Sequence, residues 1–271
     1  MVGKVDLYDS HYADTGADTY RQIRLETYGE DLGQASWITA KEARMFLSWL
    51  GVQSGTEILE VACGSGGVSL LAAGEFGATV VGIDVNEQAV QTAKEKAERE
   101  NISTSVSFQT QDASKALPFR DGSFDVVLCI DSINHLPDRE AVLKDWFRLL
   151  RPSGKILYTD PIVVTGPISN QEIAIRSSIG FFLFMPPDEN ERLIQETGFD
   201  MLRAEDLTQS AATISKSWFK ARSNRERLLV QLEGQERYEG LQHFLEIVHK
   251  LSSERRLTRF AYLAEKRYKD E

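Results

Sequence analysis

The chain has 271 residues, of which 42% are hydrophobic, and this is enough to bury one main core with a smaller attached lobe. Its formal net charge of -10 would repel phosphate backbones, so we expect no nucleic-acid partner. It has no apolar stretch of about 18 residues, no signal-peptide pattern at its start and too few cysteines for a disulfide framework, so we expect a cytoplasmic protein without a membrane association.

Short runs rich in β-branched residues alternate with amphipathic segments through the middle of the chain. Five strands are predicted at Thr56–Cys63, Ala78–Val85, Ser105–Gln111, Phe124–Asp131 and Gly154–Pro161. The segments GGVSLLAAGEFG, NEQAVQTAKEKAEREN and DREAVLKDWFRLLRPSG between them are predicted helices. Later, the sequence predicts a helix in ENERLIQETGF, a strand in DMLRAEDLT, mostly helix over Ala211–Leu251 and a last strand in RLTRFAYLAEK.

Alternation of strands and helices over about 100 residues is typical of an α/β fold with a parallel sheet covered by helices on both faces. In such folds ligands bind at the carboxyl ends of the strands. The functional residues are therefore expected in the loops that follow the strands.

The first of these loops is glycine-rich and reads EVACGSGG, from Glu60 to Gly67. It has no lysine to neutralise nucleotide phosphates, and Ser69 stands where a dinucleotide fingerprint has its third glycine. Glu60 at the end of the strand would repel a pyrophosphate but would stabilise an ammonium group. The turn therefore favours a ligand with a positively charged end.

Two further acids follow the next two strands. Asp84 lies 20 residues after Gly64, where a carboxylate accepts both hydroxyls of a ribose. Asp112 follows the third strand, where it would accept from the exocyclic amine of adenine. An amine, a ribose and an adenine together indicate S-adenosylmethionine.

The motifs ILEVACGSGG, VVGIDV, QTQDASKALPF and FDVVLCIDSINHLPD resemble, in order, the four motifs of the class I methyltransferases. The resemblance covers roughly residues 40–160 and implies a doubly wound, mostly parallel seven-stranded sheet whose last strand is antiparallel. It implies S-adenosyl-L-methionine as cofactor, S-adenosyl-L-homocysteine as product, and no metal. The implied cofactor-binding residues are Glu60, Ala62, Cys63, Gly64, Ser65, Gly66, Asp84, Val85, Gln88, Asp112, Ala113, Ile130 and Asp131.

Each of these residues also has an ordinary structural explanation. Glu60 would accept backbone amides of the next helix, and Asp84 and Asp112 would be turn acids. The glycines suit any tight strand-to-helix turn, and Cys63 is better explained as a packed small residue than as a nucleophile. The placement of three acids at three successive strand ends favours the cofactor site.

Asp131 and His135 follow the fourth strand and are four residues apart, which on a helical turn places them on one face. A histidine there would remove a proton from an amine or hydroxyl acceptor at neutral pH. A loop histidine that bonds a backbone carbonyl is the alternative.

A second resemblance extends toward both ends of the chain. The segments YADTGADTYRQIRLETYGEDLG, DSINH and LYTDP are similar to the phosphoethanolamine methyltransferases and, more loosely, to the sarcosine and dimethylglycine methyltransferases. In the first family, residues at the places of Tyr12 and His135 form a latch over the substrate, and one at the place of Asp131 helps to hold the amine. Pro161 and SSIGFFLFMPP replace the phosphate-binding residues, so phosphoethanolamine itself is not expected as the substrate.

The run IGFFLFMPP, residues 179–187, predicts a lid inserted after the fifth strand. Phe181 and Phe182 suit an apolar wall for the acceptor, and Arg176 suits a carboxylate on it. Tyr20 and Tyr12 would add an aromatic cap that favours a sulfonium or ammonium. The alternative for this run is burial against the sheet or in a dimer contact.

The sequence thus predicts one methyltransferase domain, 1–271, with an N-terminal helical cap (1–39), a cofactor-binding core (40–160), a lid with C-terminal helices (161–257) and a last strand (258–268). We expect a monomer or homodimer that methylates a nitrogen or oxygen of a small, partly apolar metabolite. Carbon methylation of a quinone or polyketide-like ring is an alternative. An NAD-linked oxidoreductase and a non-catalytic cofactor-binding module are the alternatives from other classes.

Overall fold

Seven strands form one sheet in the computed structural model, which describes residues 18–267. The strands are β1 (Glu57–Val61), β2 (Thr79–Asp84), β3 (Val106–Thr110), β4 (Phe124–Cys129), β5 (Leu150–Val164), β6 (Phe199–Asp206) and β7 (Leu257–Lys266). Their order is β3-β2-β1-β4-β5-β7-β6, with parallel pairing from β3 to β5. The last strand, β7, runs antiparallel to both β5 and β6, which confirms the predicted fold class.

Ten α-helices accompany the sheet in the described part of the chain. They are α1 (Asp18–Tyr28), α2 (Ala40–Leu50), α3 (Gly67–Phe76), α4 (Glu87–Arg99), α5 (Arg139–Leu149), α6 (Asn170–Arg176), α7 (Glu189–Glu196), α8 (Thr208–Ser223), α9 (Glu226–Glu233) and α10 (Gln235–Ser253). A short 3-10 turn, Ile133–His135, follows β4. The predicted helices between the strands are α3, α4 and α5.

Both faces of the central strands β1 and β4 are buried, which explains why these strands are almost continuously apolar, whereas β3 and β6 at the two edges of the sheet are partly exposed. Successive residues of β1 point to opposite faces, so Ile58 packs in one core cluster and Leu59 in the other. The first cluster includes Leu47 of α2 and Val90 of α4, and the second includes Trp146 of α5. The strands are therefore fixed between two layers of helices, and the loops at their carboxyl ends are held in place.

A third apolar cluster joins the N-terminal cap, the lid and the C-terminal helices. It contains Ile23 of α1, Ile179 of the lid, Trp218 of α8 and Phe244 of α10, all of them buried. These elements form a helical layer near the carboxyl end of β4. Trp37, which belongs to the same cluster, connects this layer to the strand, because its backbone amide donates a 2.8 Å hydrogen bond to Asp131. Tyr12 lies outside the described residues.

The fifth strand is longer than the sequence predicts at both ends. It begins at Leu150, immediately after α5, because Leu150 pairs with Phe124 before the register shifts at the predicted turn. It continues past Pro161 to Val164, which pairs with β7. The chain then enters the lid, residues 165–188, which contains α6 and returns to the sheet through a bridge between Val163 and Met185.

Candidate active site

The glycine turn between β1 and α3 has a backbone that favours glycine. Ala62, Gly64 and Gly66 have φ angles of 56°, 54° and 78°, in the left-handed region. A Cβ atom on Gly66 would lie 2.7 Å from the Phe108 ring and 2.9 Å from the Cβ of Ala93. Glycine is therefore required at position 66 by both backbone conformation and packing.

A cavity lies beside this turn, and several separate parts of the chain form its wall. Residues 32–38, which we call the cover segment, form one side, and the turn and the end of β4 form another. The lid and helices α8 and α10 complete it. Outside the cover segment, the lining residues are Glu60, Ala62, Cys63, Gly64, Ser65, Gly67, Val68, Ile130, Asp131, Ser132, Pro161, Arg176, Ile179, Phe182, Trp218 and Phe244.

Glu60 is buried in this wall, with 4% of its surface exposed. Its carboxylate accepts a hydrogen bond from the hydroxyl of Ser69. Burial raises the pKa of Glu60 to about 7, against the opposing effect of the Ser69 hydrogen bonds, and Asp84 raises it further. A cationic group in the cavity would stabilise the ionised form, so this acid fits the ammonium end of S-adenosylmethionine.

Asp84 lies directly behind the turn. It accepts hydrogen bonds from the backbone amides of Gly64 (2.8 Å) and Asn86 (2.9 Å), and burial raises its pKa. These bonds tie the end of β2 to the turn. Val85 beside it is 70% exposed, and Gln88 lines a groove on the outer side of the turn.

Asp112 lies outside the cavity wall. Its carboxylate accepts from the hydroxyl (2.6 Å) and amide (3.0 Å) of Ser114 and pairs with Lys115 at 3.0 Å. The Ser114 and Lys115 hydrogen bonds lower its pKa to about 2. Ala113 is partly buried against the second core cluster. The structure thus brings Glu60 and Asp84 together at the turn, with Asp112 at the next strand end.

Asp131 is buried, with φ of 52°, and its carboxylate is fully engaged. One oxygen accepts from Arg259 Nε (2.7 Å) and the Thr159 hydroxyl (2.8 Å). The other accepts from the Trp37 amide (2.8 Å) and Arg259 Nη2 (3.2 Å). Four hydrogen bonds fill the lone-pair sites of a carboxylate, so in this conformation Asp131 fastens the cover segment to β4 and β7.

His135 does not share a helix face with Asp131, because only Ile133–His135 is helical. It is half-buried behind the cavity wall, where its ring lies 4.6 Å from that of Phe182. Its Nδ1 is 2.8 Å from the carbonyl oxygen of Phe181 and must donate to it, so the neutral ring has its lone pair on Nε2. Burial lowers the pKa of His135, and the charge of Arg176 lowers it further.

Arg176 is buried in the cavity wall among aromatic rings. Its guanidinium carbon lies 4.6 Å from the ring centre of Phe182, 5.2 Å from that of Phe244 and 6.0 Å from that of Trp37. Phe181 is 57% exposed and contributes its carbonyl to His135. Tyr20 lies away from the cavity wall, where its hydroxyl donates to Glu233 at 3.0 Å.

Sequence reasoning missed part of the wall. Trp218 and Phe244 lie on amphipathic helices, where aromatic residues look like ordinary core residues. It also missed Lys96 of α4, whose ammonium donates to the Ser65 hydroxyl at 2.8 Å. The i, i+3 and i+4 spacing of α4 indicated which face packs on the sheet but not that this lysine reaches the turn.

Cys63 lines the cavity as a buried free thiol. Burial raises the pKa of the Cys63 thiol well above its ordinary value, as expected for a packed residue. Among residues 18–267, no group of three or more His, Cys, Asp or Glu side chains is arranged to hold a metal ion. No helix in the same range is long and apolar enough to cross a bilayer.

Comparison with known proteins assigns the chain to a family. Residues 59–158 match the family described as "Methyltransferase domain". The 27-O-demethylrifamycin SV methyltransferase of Amycolatopsis mediterranei is 30% identical over 218 residues, which cover 76% of this chain and 79% of that protein. The chain belongs to the class I S-adenosylmethionine-dependent methyltransferases. The predicted family, enzyme activity and cofactor are thereby confirmed.

Two further comparisons connect this methyltransferase with the second resemblance. Phosphoethanolamine N-methyltransferase 1 of Triticum aestivum is 28% identical over 236 residues, covering 87% of this chain and 45% of that protein. The structure of Haemonchus contortus phosphoethanolamine N-methyltransferase 2, in complex with phosphomonomethylethanolamine and S-adenosylhomocysteine, matches 95% of this chain and 59% of that one, with a TM-score of 0.80 and 23% identity. The methyltransferase therefore spans about half the length of these relatives, and the structural match establishes the fold.

Proposed function

We propose that the protein transfers the methyl group of S-adenosylmethionine to an oxygen or nitrogen of a small, partly apolar metabolite, with a hydroxyl oxygen preferred. The observation that carries this proposal is the aromatic cavity wall beside the glycine turn, in which Trp37, Phe182 and Phe244 lie around the guanidinium of Arg176. Trp218 lines the same cavity. Such a wall suits a flat apolar acceptor. The relative named as a 27-O-demethylrifamycin SV methyltransferase supports oxygen as the attacking atom.

The charge of Arg176 supports an oxygen acceptor over a cationic amine. Aromatic faces attract ammonium groups, but here Phe182 and Phe244 already face a guanidinium. A protonated amine beside Arg176 would be repelled, and it would have to lose its proton before it could attack the methyl carbon. A neutral hydroxyl, a phenolate or an acceptor with a carboxylate would meet no such repulsion.

His135 is the proposed base. A hydroxyl acceptor loses its proton as its oxygen attacks the methyl carbon, and a neutral imidazole within hydrogen-bond reach accepts such a proton. His135 lies behind Phe182, so this role requires the Phe182 ring to move aside when the acceptor binds. The hydrogen bond from Nδ1 to the Phe181 carbonyl supports this role, because it directs the lone pair to Nε2. Tyr12, which lies outside the described residues, remains a proposed partner in a latch over the acceptor.

For Asp131 we propose a positioning role in place of a direct bond to the acceptor. Its oxygens hold the Trp37 amide and Arg259, so its charge is already compensated. Loss of this carboxylate would free the cover segment and widen the cavity. Phe181, Phe182 and Arg176 are proposed to contact the acceptor, and Tyr20 to support the cap through Glu233.

The glycine turn and its acids are proposed to hold the cofactor. Glu60 would pair with the ammonium group, Asp84 would accept from the ribose hydroxyls, and Asp112 would accept from adenine. The bound cofactor supplies an electrophilic methyl group on a sulfonium. The remaining residues of the implied cofactor set would contribute backbone contacts and apolar surface.

Calorimetry and an acceptor screen test the proposal. We expect the full chain to bind S-adenosylmethionine and S-adenosylhomocysteine but not NAD. In the screen, phenols, hydroxylated polyketides and hydroxybenzoates are compared with ethanolamines and sarcosine, and formation of S-adenosylhomocysteine is measured. Turnover confined to the amines would contradict the oxygen preference, a carbon-methylated product would identify ring methylation, and binding without turnover on any acceptor would indicate a cofactor-binding module.

A further inference from the structure

The side chain of Lys96 links two walls of the cavity. Lys96 lies in the last turn of α4, and its Nζ donates to the hydroxyl of Ser65 at 2.8 Å and to the Ser65 carbonyl at 3.3 Å. The same Ser65 hydroxyl donates to the carbonyl oxygen of Gly33, in the cover segment, at 3.1 Å. The glycine turn itself contains no lysine, but Lys96 of the neighbouring helix α4 contacts it.

The cover segment and the glycine turn touch backbone to backbone at this point. A Cβ atom on Gly67 would overlap the carbonyl oxygen of Leu32. Because both walls line the cavity, a ligand held between them leaves when they separate. Separation breaks the bond from Ser65 to Gly33, and an ammonium that donates to the Ser65 hydroxyl makes that hydroxyl a stronger donor.

We propose that Lys96 is a positioning residue for the cofactor, which joins the cover segment to the glycine turn through Ser65 and so slows release of the S-adenosyl ligand. The charged groups around Lys96 include both cations and anions, so a stabilising ion pair does not explain why Lys96 is at this position. Arg24 of α1 and Arg99 of α4 repel the ammonium, Asp31 and Glu100 attract it, and Arg21, Glu30 and Glu95 line the same outer groove.

The protonation of Lys96 is consistent with a functional role. Burial and the charge of Arg24 lower its pKa to about 8. The folded protein thus holds this proton more weakly than the unfolded chain does, so the ammonium lowers the free energy of unfolding at neutral pH. Ionisation of Lys96 therefore opposes folding at neutral pH, and its bonds to Ser65 in the glycine turn carry the proposed role.

The test compares Lys96→Met with Lys94→Met, a matched change at an exposed lysine of the same helix. Release of S-adenosylhomocysteine from the full chain is followed by tryptophan fluorescence, because Trp37 and Trp218 line the cavity. We expect release from Lys96→Met to be about tenfold faster at about pH 7, and release from Lys94→Met to stay within about twofold of the parent. Equal release rates in the parent and Lys96→Met would overturn the proposal.

The pH profile separates positioning from a purely structural role. As the pH rises from about 7 to about 9.5, the parent loses the Lys96 charge and its release rate should approach that of Lys96→Met. Glu60 and the ligand amine titrate in both proteins, so the ratio of the two rates isolates Lys96. A ratio that stays constant with pH would overturn the proposal.

Two further measurements keep the test valid if one variant is perturbed. Lys96→Met should unfold at the same temperature as the parent or a higher one, and a lower unfolding temperature with unchanged release would leave Lys96 a structural residue only.

Ser65→Ala should speed release as Lys96→Met does, and the double variant should add little, because both changes break one linkage. Additive effects would contradict the linkage. Failure of the parent to bind S-adenosylhomocysteine would instead contradict the cofactor site.

Discussion

At the scale of single residues, the buried carboxylate of Glu60 gives the sharpest prediction for the cofactor. Glu60→Gln keeps the shape of the side chain but removes its charge, so we expect binding of S-adenosylmethionine to weaken about tenfold. In the parent, binding should weaken as the pH falls below about 7, because protonated Glu60 no longer attracts an ammonium. Calorimetry at several pH values measures both effects.

Glu57→Gln is the matched control for this experiment, since Glu57 lies at the other end of the same strand. It should leave the affinity and its pH dependence unchanged. If Glu60→Gln binds as tightly as the parent at every pH, Glu60 does not face the cofactor ammonium.

His135 gives the prediction for chemistry. With an acceptor found in the screen, His135→Asn should lower turnover by about 10²- to 10⁴-fold, because general bases contribute this much. Binding of S-adenosylhomocysteine should not change. Since burial lowers the pKa of His135, parent turnover should decline only below its ordinary value of about 6.5.

His243→Asn, at an exposed position of α10, is the control for general effects of losing a histidine. It should retain full turnover. A His135→Asn variant with turnover close to that of the parent would leave His135 as a loop residue bonded to Phe181, the alternative that the sequence also allowed.

At the scale of elements, the contact between the glycine turn and the cover segment makes Gly67 sensitive to substitution. In Gly67→Ala the new methyl group would displace the Leu32 carbonyl, so we expect weaker binding of S-adenosylhomocysteine and faster proteolysis within residues 32–38. Gly74→Ala lies in the same helix with nothing within 4 Å of the new Cβ, and it should stabilise the protein by about 0.5–1 kcal/mol. Comparable ligand affinity in the two variants would show that the cover segment is not packed on the turn.

Most strands of the core, and the closeness of two of the acids that follow them, could be predicted from the sequence. The five strands of the core were predicted within a few residues because each is a short run rich in β-branched residues, and in β1, β2, β4 and β5 most of the run is buried. The start of β5 was missed because Pro152–Gly154 is a turn signal, whereas here it forms an irregularity inside the strand. Glu60 and Asp84 were predicted as neighbours because parallel strands end at one edge of the sheet.

The remaining parts of the site depend on contacts that leave no local pattern. Arg259 reaches Asp131 across 128 positions of the sequence, and Lys96 reaches Ser65 across 31. Spacing rules describe neighbours on one helix or strand and do not describe such pairs. For this reason the engagement of Asp131 and the position of His135 behind Phe182 became visible only in the fold.

At the scale of the whole molecule, Arg259 connects parts of the chain that are far apart. It is fully buried in β7 and pairs with Asp131 after β4 and with Glu42 of α2. Arg259→Met would leave two buried carboxylates without their cation, so we expect the free energy of unfolding to fall by about 3–5 kcal/mol in urea titrations.

Arg267→Met is the control, because its pairing with Asp200 is half exposed, and it should leave the urea midpoint unchanged. If Arg259→Met unfolds at the same urea concentration as this control, the buried network does not hold the cover segment to the sheet. A drop in both variants would point to a general effect of lost arginine.

The aromatic wall of the cavity comes from residues that none of the parallel strands supply. Trp37, Phe182, Trp218 and Phe244 belong to the cover segment, the lid and two late helices, whereas the acids proposed to hold the cofactor follow the strand ends. Under the proposed assignment, exchange of Phe182, Trp218 or Phe244 would remodel the acceptor side without touching the glycine turn, whereas Trp37 belongs to the cover segment that packs on that turn. Such a division makes the scaffold well suited to laboratory evolution toward new methylated products.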